Sequence, residues 1–119
     1  MALYFNLPVY KDSYDMLLMV FKYCSKLPKE YKYTLGERLK NDCTDVLLSI
    51  FEATKNKEHQ KLKNIENALN HLERCRLYIR LFKDLKVWGV TTQVALNQKI
   101  ETISKQLTQW NLHTARVQP

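Results

Sequence analysis

The chain has 119 residues, enough for one domain with a core of its own. Hydrophobic residues make up 45%, with only two Gly and three Pro, which excludes a disordered chain and a turn-dense β-sandwich. The formal net charge is +7, from 19 Lys and Arg against 12 Asp and Glu, and such an excess favours an acidic partner.

The first segment runs from about Val9 to Leu27. Tyr10, Tyr14, Leu17, Phe21 and Cys24 form one helical stripe, and Met16, Val20, Tyr23 and Leu27 form a second. Pro8 stands at the entry, where its missing N–H costs nothing. The N-terminal MALYFNLPVYKD has neither the basic start nor the long apolar run of a signal peptide. No stretch has the length of a membrane span. Pro28 breaks the first helix.

The second helix is expected over 30–55, with Leu35, Leu39, Cys43, Val46, Ile50 and Ala53 as its stripe, widened by Leu47 and Phe51. Gly36 falls early in it, either tolerated or permitting a close approach. TKNKEHQ, residues 54–60, reads as a polar turn. The third helix is expected over 58–87, with Ile65, Ala68, Leu72, Cys75, Ile79 and Phe82 recurring every three or four residues. Gly89 suits a left-handed helix end, and Thr91 or Thr92 suits a cap. The fourth helix, over 92–113, carries Leu96, Ile100, Ile103, Leu107 and Trp110, with fraying expected after Thr114.

Four helices with short connectors predict an all-α, up-down-up-down antiparallel four-helix bundle. Leu77, Leu81 and Leu85 point away from the core stripe of the third helix. An apolar arc of that kind needs cover, and with the double-striped first helix it predicts a homo-oligomer.

The sequence holds no phosphate-cradling glycine loop and no H-E-x-x-H pattern. Asp42 and Asp45 are one turn apart but lack identifiable further ligands, so they are read as solvating the outer face of their helix; His59, His71 and His113 are read as surface or edge residues. A noncatalytic protein without metal or cofactor is therefore expected. Cys24, Cys43 and Cys75 lie in apolar stripes with no C-x-x-C spacing, which fits a reducing cytoplasm. The basic residues form two groups. Arg76, Arg80 and Lys83 share an arc of about 60° on the third helix. Lys29, Lys32, Arg38 and Lys40 surround the start of the second. Both suit contact with phosphate or carboxylate, Arg by bidentate bonding, and Tyr31 and Tyr33 beside Lys32 offer stacking faces.

The stretch LPKEYKYTLGERL, residues 27–39, resembles the pattern P-K-x-x-[KR]-[YF]-x-[LI]-G-x-R-[LI] of the accessory variability determinant proteins of diversity-generating retroelements. Residues 72–110 resemble the C-terminal half of the same family, with Arg80, Leu81, Asp84, Leu85 and Trp110 at matching positions. Ser104 after Ile103 departs from the Ile-Gly often found there. Four-helix bundles encoded in ribosomal RNA intervening sequences share the P-K and R patterns and are the alternative resemblance. The first resemblance implies a homopentameric barrel with basic surfaces that associates with a reverse transcriptase and its template RNA and supports mutagenic cDNA synthesis. Arg76, Arg80, Lys83, Lys29, Lys32, Arg38 and Lys40 are then the expected contacts to RNA or polymerase. Leu77, Leu81 and Leu85 are the expected oligomer interface.

Overall fold

The computed structural model describes residues 6–117. Residues 1–5 of the N-terminal segment and the last two of the tail lie outside it. The described chain is all helical: α1 spans Pro8–Cys24, α2 Lys29–Lys32, α3 Leu35–Lys55, α4 Glu58–Asp84 and α5 Val90–Arg116. The molecule measures 49 × 21 × 20 Å. A 27-residue helix such as α4 is about 40 Å long, so the body is one long helix in length and two helices in width. The pairs α1–α3, α3–α4, α4–α5 and α5–α1 pack together, closing a ring of four long helices.

The core lies where the four stripes meet. Leu39, Cys43, Val46, Ile50 and Ala53 of α3 are fully buried, as are Ile65, Ala68, Leu72, Cys75 and Phe82 of α4 and Leu96, Ile100, Ile103 and Leu107 of α5. These are the residues that the three-and-four spacing selects. In α1 the buried face draws on both stripes. Val9, Ser13, Met16, Val20 and Cys24 are buried, whereas Tyr14 and Phe21 of the first stripe are about half exposed. Periodicity alone does not rank two apolar stripes on one helix.

Four local expectations also change. The second helix is interrupted: Pro28 starts the single turn α2, and α3 begins at Leu35. Gly36 sits where this break folds back, and a Cβ there would lie 3.0 Å from the Tyr31 carbonyl oxygen and 3.0 Å from Leu27 Cδ1. Close approach is thus its role. α4 stops at Asp84, before the expected 87, and its end is not made by Gly89. Lys86 takes the left-handed conformation, with φ 59°. The Val87 N–H donates to the Phe82 carbonyl and the Lys86 N–H to the Lys83 carbonyl, which is the hydrogen-bond pattern of a Schellman end. Gly89 is extended and precedes α5, with no side-chain cap, so Thr91 and Thr92 lie inside the first turn. α5 extends to Arg116, two residues past Thr114.

Trp88 follows the left-handed turn. Its ring lies 4.6 Å from Phe82 and 6.1 Å from Tyr23 of α1. At mid-length, Asp12 of α1 accepts from Lys99 at 3.1 Å and from Gln106 at 3.0 Å, both on α5.

A lysine in the left-handed region costs about 1 kcal/mol relative to glycine. Lys86→Gly is therefore expected to raise the melting temperature by roughly 4 °C in a thermal melt followed by circular dichroism. The three cysteines are free and buried. Burial pushes the Cys24 thiol up to about 12 from 9.0. A hydrogen bond to Cys43, followed by burial, pushes the Cys75 thiol up as well. A thiol whose pKa is raised on folding contributes full stability below its unfolded value. That contribution is lost as pH climbs from about 9 towards 12. Denaturant midpoints should fall across that window, and a thiol reagent at pH 8 should label the cysteines only in denaturant.

Candidate functional site on the outer faces of the bundle

The rotation that buries Leu72, Cys75, Ile79 and Phe82 turns Leu77, Leu81 and Leu85 to the opposite side of α4. Their exposures are 60%, 37% and 41%. Spaced four residues apart, they make a continuous ridge along the last two turns of the helix. A second apolar face lies on α1, where Tyr14, Leu18 and Phe21 are 47%, 55% and 49% exposed. The Lys40 ammonium of α3 sits 5.0 Å from the Phe21 ring centre, so this face borders α3. The sequence reading identified the ridge, and it counted Tyr14 and Phe21 in one of the two stripes of the first helix without saying which stripe faces outward.

The expected basic contacts divide into paired and unpaired groups. Arg76 bonds Glu73 through Nε at 3.1 Å and Nη2 at 3.3 Å, and it reaches Glu101 of α5 through Nη1. Partial burial lowers the pKa of its guanidinium, but the hydrogen bonds to Glu101 and Glu73 outweigh this and raise it. Arg80 pairs with Asp84 at 3.3 Å. Lys40 pairs with Glu37 at 2.9 Å. Lys32 lies 5.8 Å from the centre of the Tyr33 ring. Lys29, Arg38 and Lys83 are exposed, and among the described residues no carboxylate pairs with them.

Topology brings the unpaired groups to one end of the bundle. The α1–α3 connector holds Lys29 and Lys32, and the α4–α5 connector is flanked by Lys83 and Lys86. The Trp88–Tyr23 contact joins the two connectors. Lys83 and Lys86 line a cavity of about 560 Å³ with Trp88, Gly89, Val90, Gln93, Val94 and Asn97. A neighbouring cavity of about 510 Å³ is lined by Arg76, Arg80 and Lys83 with Leu77. Gln93 is buried and donates to the Ile79 carbonyl at 3.0 Å, which fixes the floor between α4 and α5. Two basic stretches some fifty positions apart in sequence thus share one end face.

The sequence reading missed the polar contact between α3 and α4. Asp42 is 5% exposed, not on the outer face. Its Oδ1 accepts from His71 Nδ1 at 2.9 Å and forms an ion pair with Arg74, whose Nε is 3.3 Å away, and Asp45 Oδ2 lies 3.9 Å from the same His71 atom. The available signal was the position of Asp42 beside the stripe residue Cys43, on the flank that meets the next helix.

Among the described residues no helix is long and apolar enough to cross a membrane. No curated protein matches the chain. The model of the 23S rRNA-intervening sequence protein family matches residues 6–109. Of the two groups the sequence resembles, the match supports the one encoded in ribosomal RNA intervening sequences, held above as the alternative, and not the retroelement accessory proteins. It extends from the first described turn to the last turns of α5, so it includes the leucine ridge, both connectors and the Asp42–His71 contact. The chain belongs to the 23S rRNA-intervening sequence protein family.

Proposed function

We propose that this protein is a noncatalytic interaction module that works as an assembly of its own copies. The observation that carries this reading is the exposed ridge of Leu77, Leu81 and Leu85. Leucines spaced along a solvent face do nothing for the isolated bundle, and contiguous apolar surface of this kind marks an interface. The partner face is Tyr14, Leu18 and Phe21 of the next copy. Two unlike faces on one chain give a head-to-tail contact, which closes into a ring when the rotation allows it. That agrees with the pentamer implied by the resemblance to the retroelement proteins.

Light scattering should give an oligomeric mass for the native chain. Leu77→Glu/Leu81→Glu and Leu18→Glu/Phe21→Glu should each reduce it to monomer with helicity unchanged. Mixed together, the two variants should form a dimer, because each keeps one intact face. A native chain that is monomeric at all concentrations would overturn self-assembly. A ridge variant that dissociates while the α1 variant does not would replace the head-to-tail contact with a ridge-to-ridge one.

A second reading is favoured by the end face that gathers Lys29, Lys32, Lys83 and Lys86. Here the assembly binds RNA phosphates and a reverse transcriptase, as the resemblance to the retroelement accessory proteins implies. The unpaired lysines carry the contact. Arg76, Arg80 and Lys40 are held by carboxylates and contribute less than their charge suggests, because a phosphate must first displace Glu73, Glu101, Asp84 or Glu37. Affinity for a structured RNA should fall steeply with salt. Lys29→Glu/Lys32→Glu/Lys83→Glu should flatten the log–log slope by about 2–3, measured by fluorescence anisotropy. An unchanged slope would remove RNA from the reading and leave the protein assembly.

A further inference from the structure

The contact between α3 and α4 has the donors of a metal site. Asp42 and Asp45 stand one turn apart on α3, and His71 faces them from α4. Their ligand atoms all lie within 4.8 Å of one another. His71 Nδ1 is 2.9 Å from Asp42 Oδ1 and 3.9 Å from Asp45 Oδ2. In a tetrahedral zinc centre with bonds of about 2.0–2.1 Å, neighbouring donor atoms are about 3.3 Å apart. The two His71 separations bracket that value, and the third, between the carboxylates, is at most 4.8 Å, so side-chain adjustments of about 1–1.5 Å would bring the donors into position. The backbones need not move, because each donor is fixed by a long helix whose core stripe sets its rotation.

Each donor has a distinct setting. The Asp42 side chain is 7% exposed, so the fold already holds a carboxylate out of water where a cation would stabilise it. The His71 and Asp45 side chains are 26% and 47% exposed, which leaves an entry path and room for water on the open coordination position. One imidazole with two carboxylates is a mixed nitrogen and oxygen set. It suits zinc and its neighbours in the first transition row, whereas magnesium and calcium prefer oxygen alone. Arg74 is the opposing group. Its Nε lies 3.3 Å from Asp42 Oδ1, but its side chain is 61% exposed and can turn to solvent.

We infer that Asp42, Asp45 and His71 form a three-ligand site for a divalent transition metal such as Zn²⁺, joining α3 to α4, with Arg74 as the charge that the metal displaces. This inference is independent of the assembly and of RNA. Its distinguishing feature is Arg74. If the cluster serves only as an ion-pair network, removing Arg74 harms it. If it is a metal site, removing Arg74 improves it.

The test is calorimetric titration of the full-length, chelator-treated chain with Zn²⁺, repeated with Co²⁺ followed by its visible absorption. The expected result is one ion per chain with micromolar affinity and a rise of several degrees in melting temperature. Asp45→Asn should weaken binding at least tenfold. This variant is the secure one, because Asp45 is half exposed and outside the core, whereas His71→Ala also strips a partner from buried Asp42. Arg74→Gln should tighten binding several-fold. Millimolar binding, or binding that Asp45→Asn leaves unchanged, would overturn the site and assign any bound ion to other surface donors such as His59 or His113. Weaker binding in Arg74→Gln would overturn the role given to Arg74 and return the cluster to an ion-pair network.

Discussion

The stripe from Ile65 to Phe82 fixes the rotation of α4 about its axis, and that rotation decides what the rest of the helix meets. With Leu72, Cys75 and Ile79 on the bundle axis, His71 and Arg74 must face α3, and Arg76 must face α5. Leu77, Leu81 and Leu85 are left to solvent. No separate interaction aims the ridge outward. It is what remains once a fully apolar stripe has chosen the inside, and turning the helix to bury the ridge would expose that stripe. The outer faces of α4 are therefore oriented by the core stripe that positions them.

The charged residues follow a similar logic in reverse. The chain carries an excess of +7, but the arginines that look most available in sequence are anchored by their neighbours. Arg76 bridges α4 to α5 through Glu101, and Arg80 closes on Asp84 within its own helix. Of the two, only Arg76 spans the groove between α4 and α5. The cations without a carboxylate partner lie at or near the helix ends around the two connectors. Net charge identifies the kind of partner a surface suits, while local pairing decides which residues are free to meet it.

Three of the four stripes were legible because each of those helices has a single dominant apolar face. α1 has two, and spacing does not rank them. The ends of the helices were harder to read for a different reason. Glycine is the usual left-handed residue, so Gly89 looked like the stop for α4, yet Lys86 holds that conformation. Packing of Val87 and Trp88 against Phe82 stabilises the turn three residues earlier than the glycine would place it. The Asp42–His71–Arg74 cluster was out of reach of local patterns altogether. It joins residues 29 positions apart, and only the packing of α3 on α4 brings them together. The family resemblance pointed to the right group of bundles but ranked first the group that the comparison does not support, because the P-K and R patterns are common to both.

The contact of Asp12 with Lys99 and Gln106 joins positions 87 and 94 residues apart. Closing a loop that long has an entropic cost that no local contact offsets. The hairpins α1–α3, α3–α4 and α4–α5 each close by a short connector, so the α1–α5 seam alone joins the two ends of the described chain. Opening that seam by releasing α1 would bare the inner stripe from Val9 to Cys24. Because α1 also carries Tyr14, Leu18 and Phe21 on its outer side, a neighbour holding that face would bind only the closed bundle. Association and the folding of the first helix would then be thermodynamically coupled, each strengthening the other.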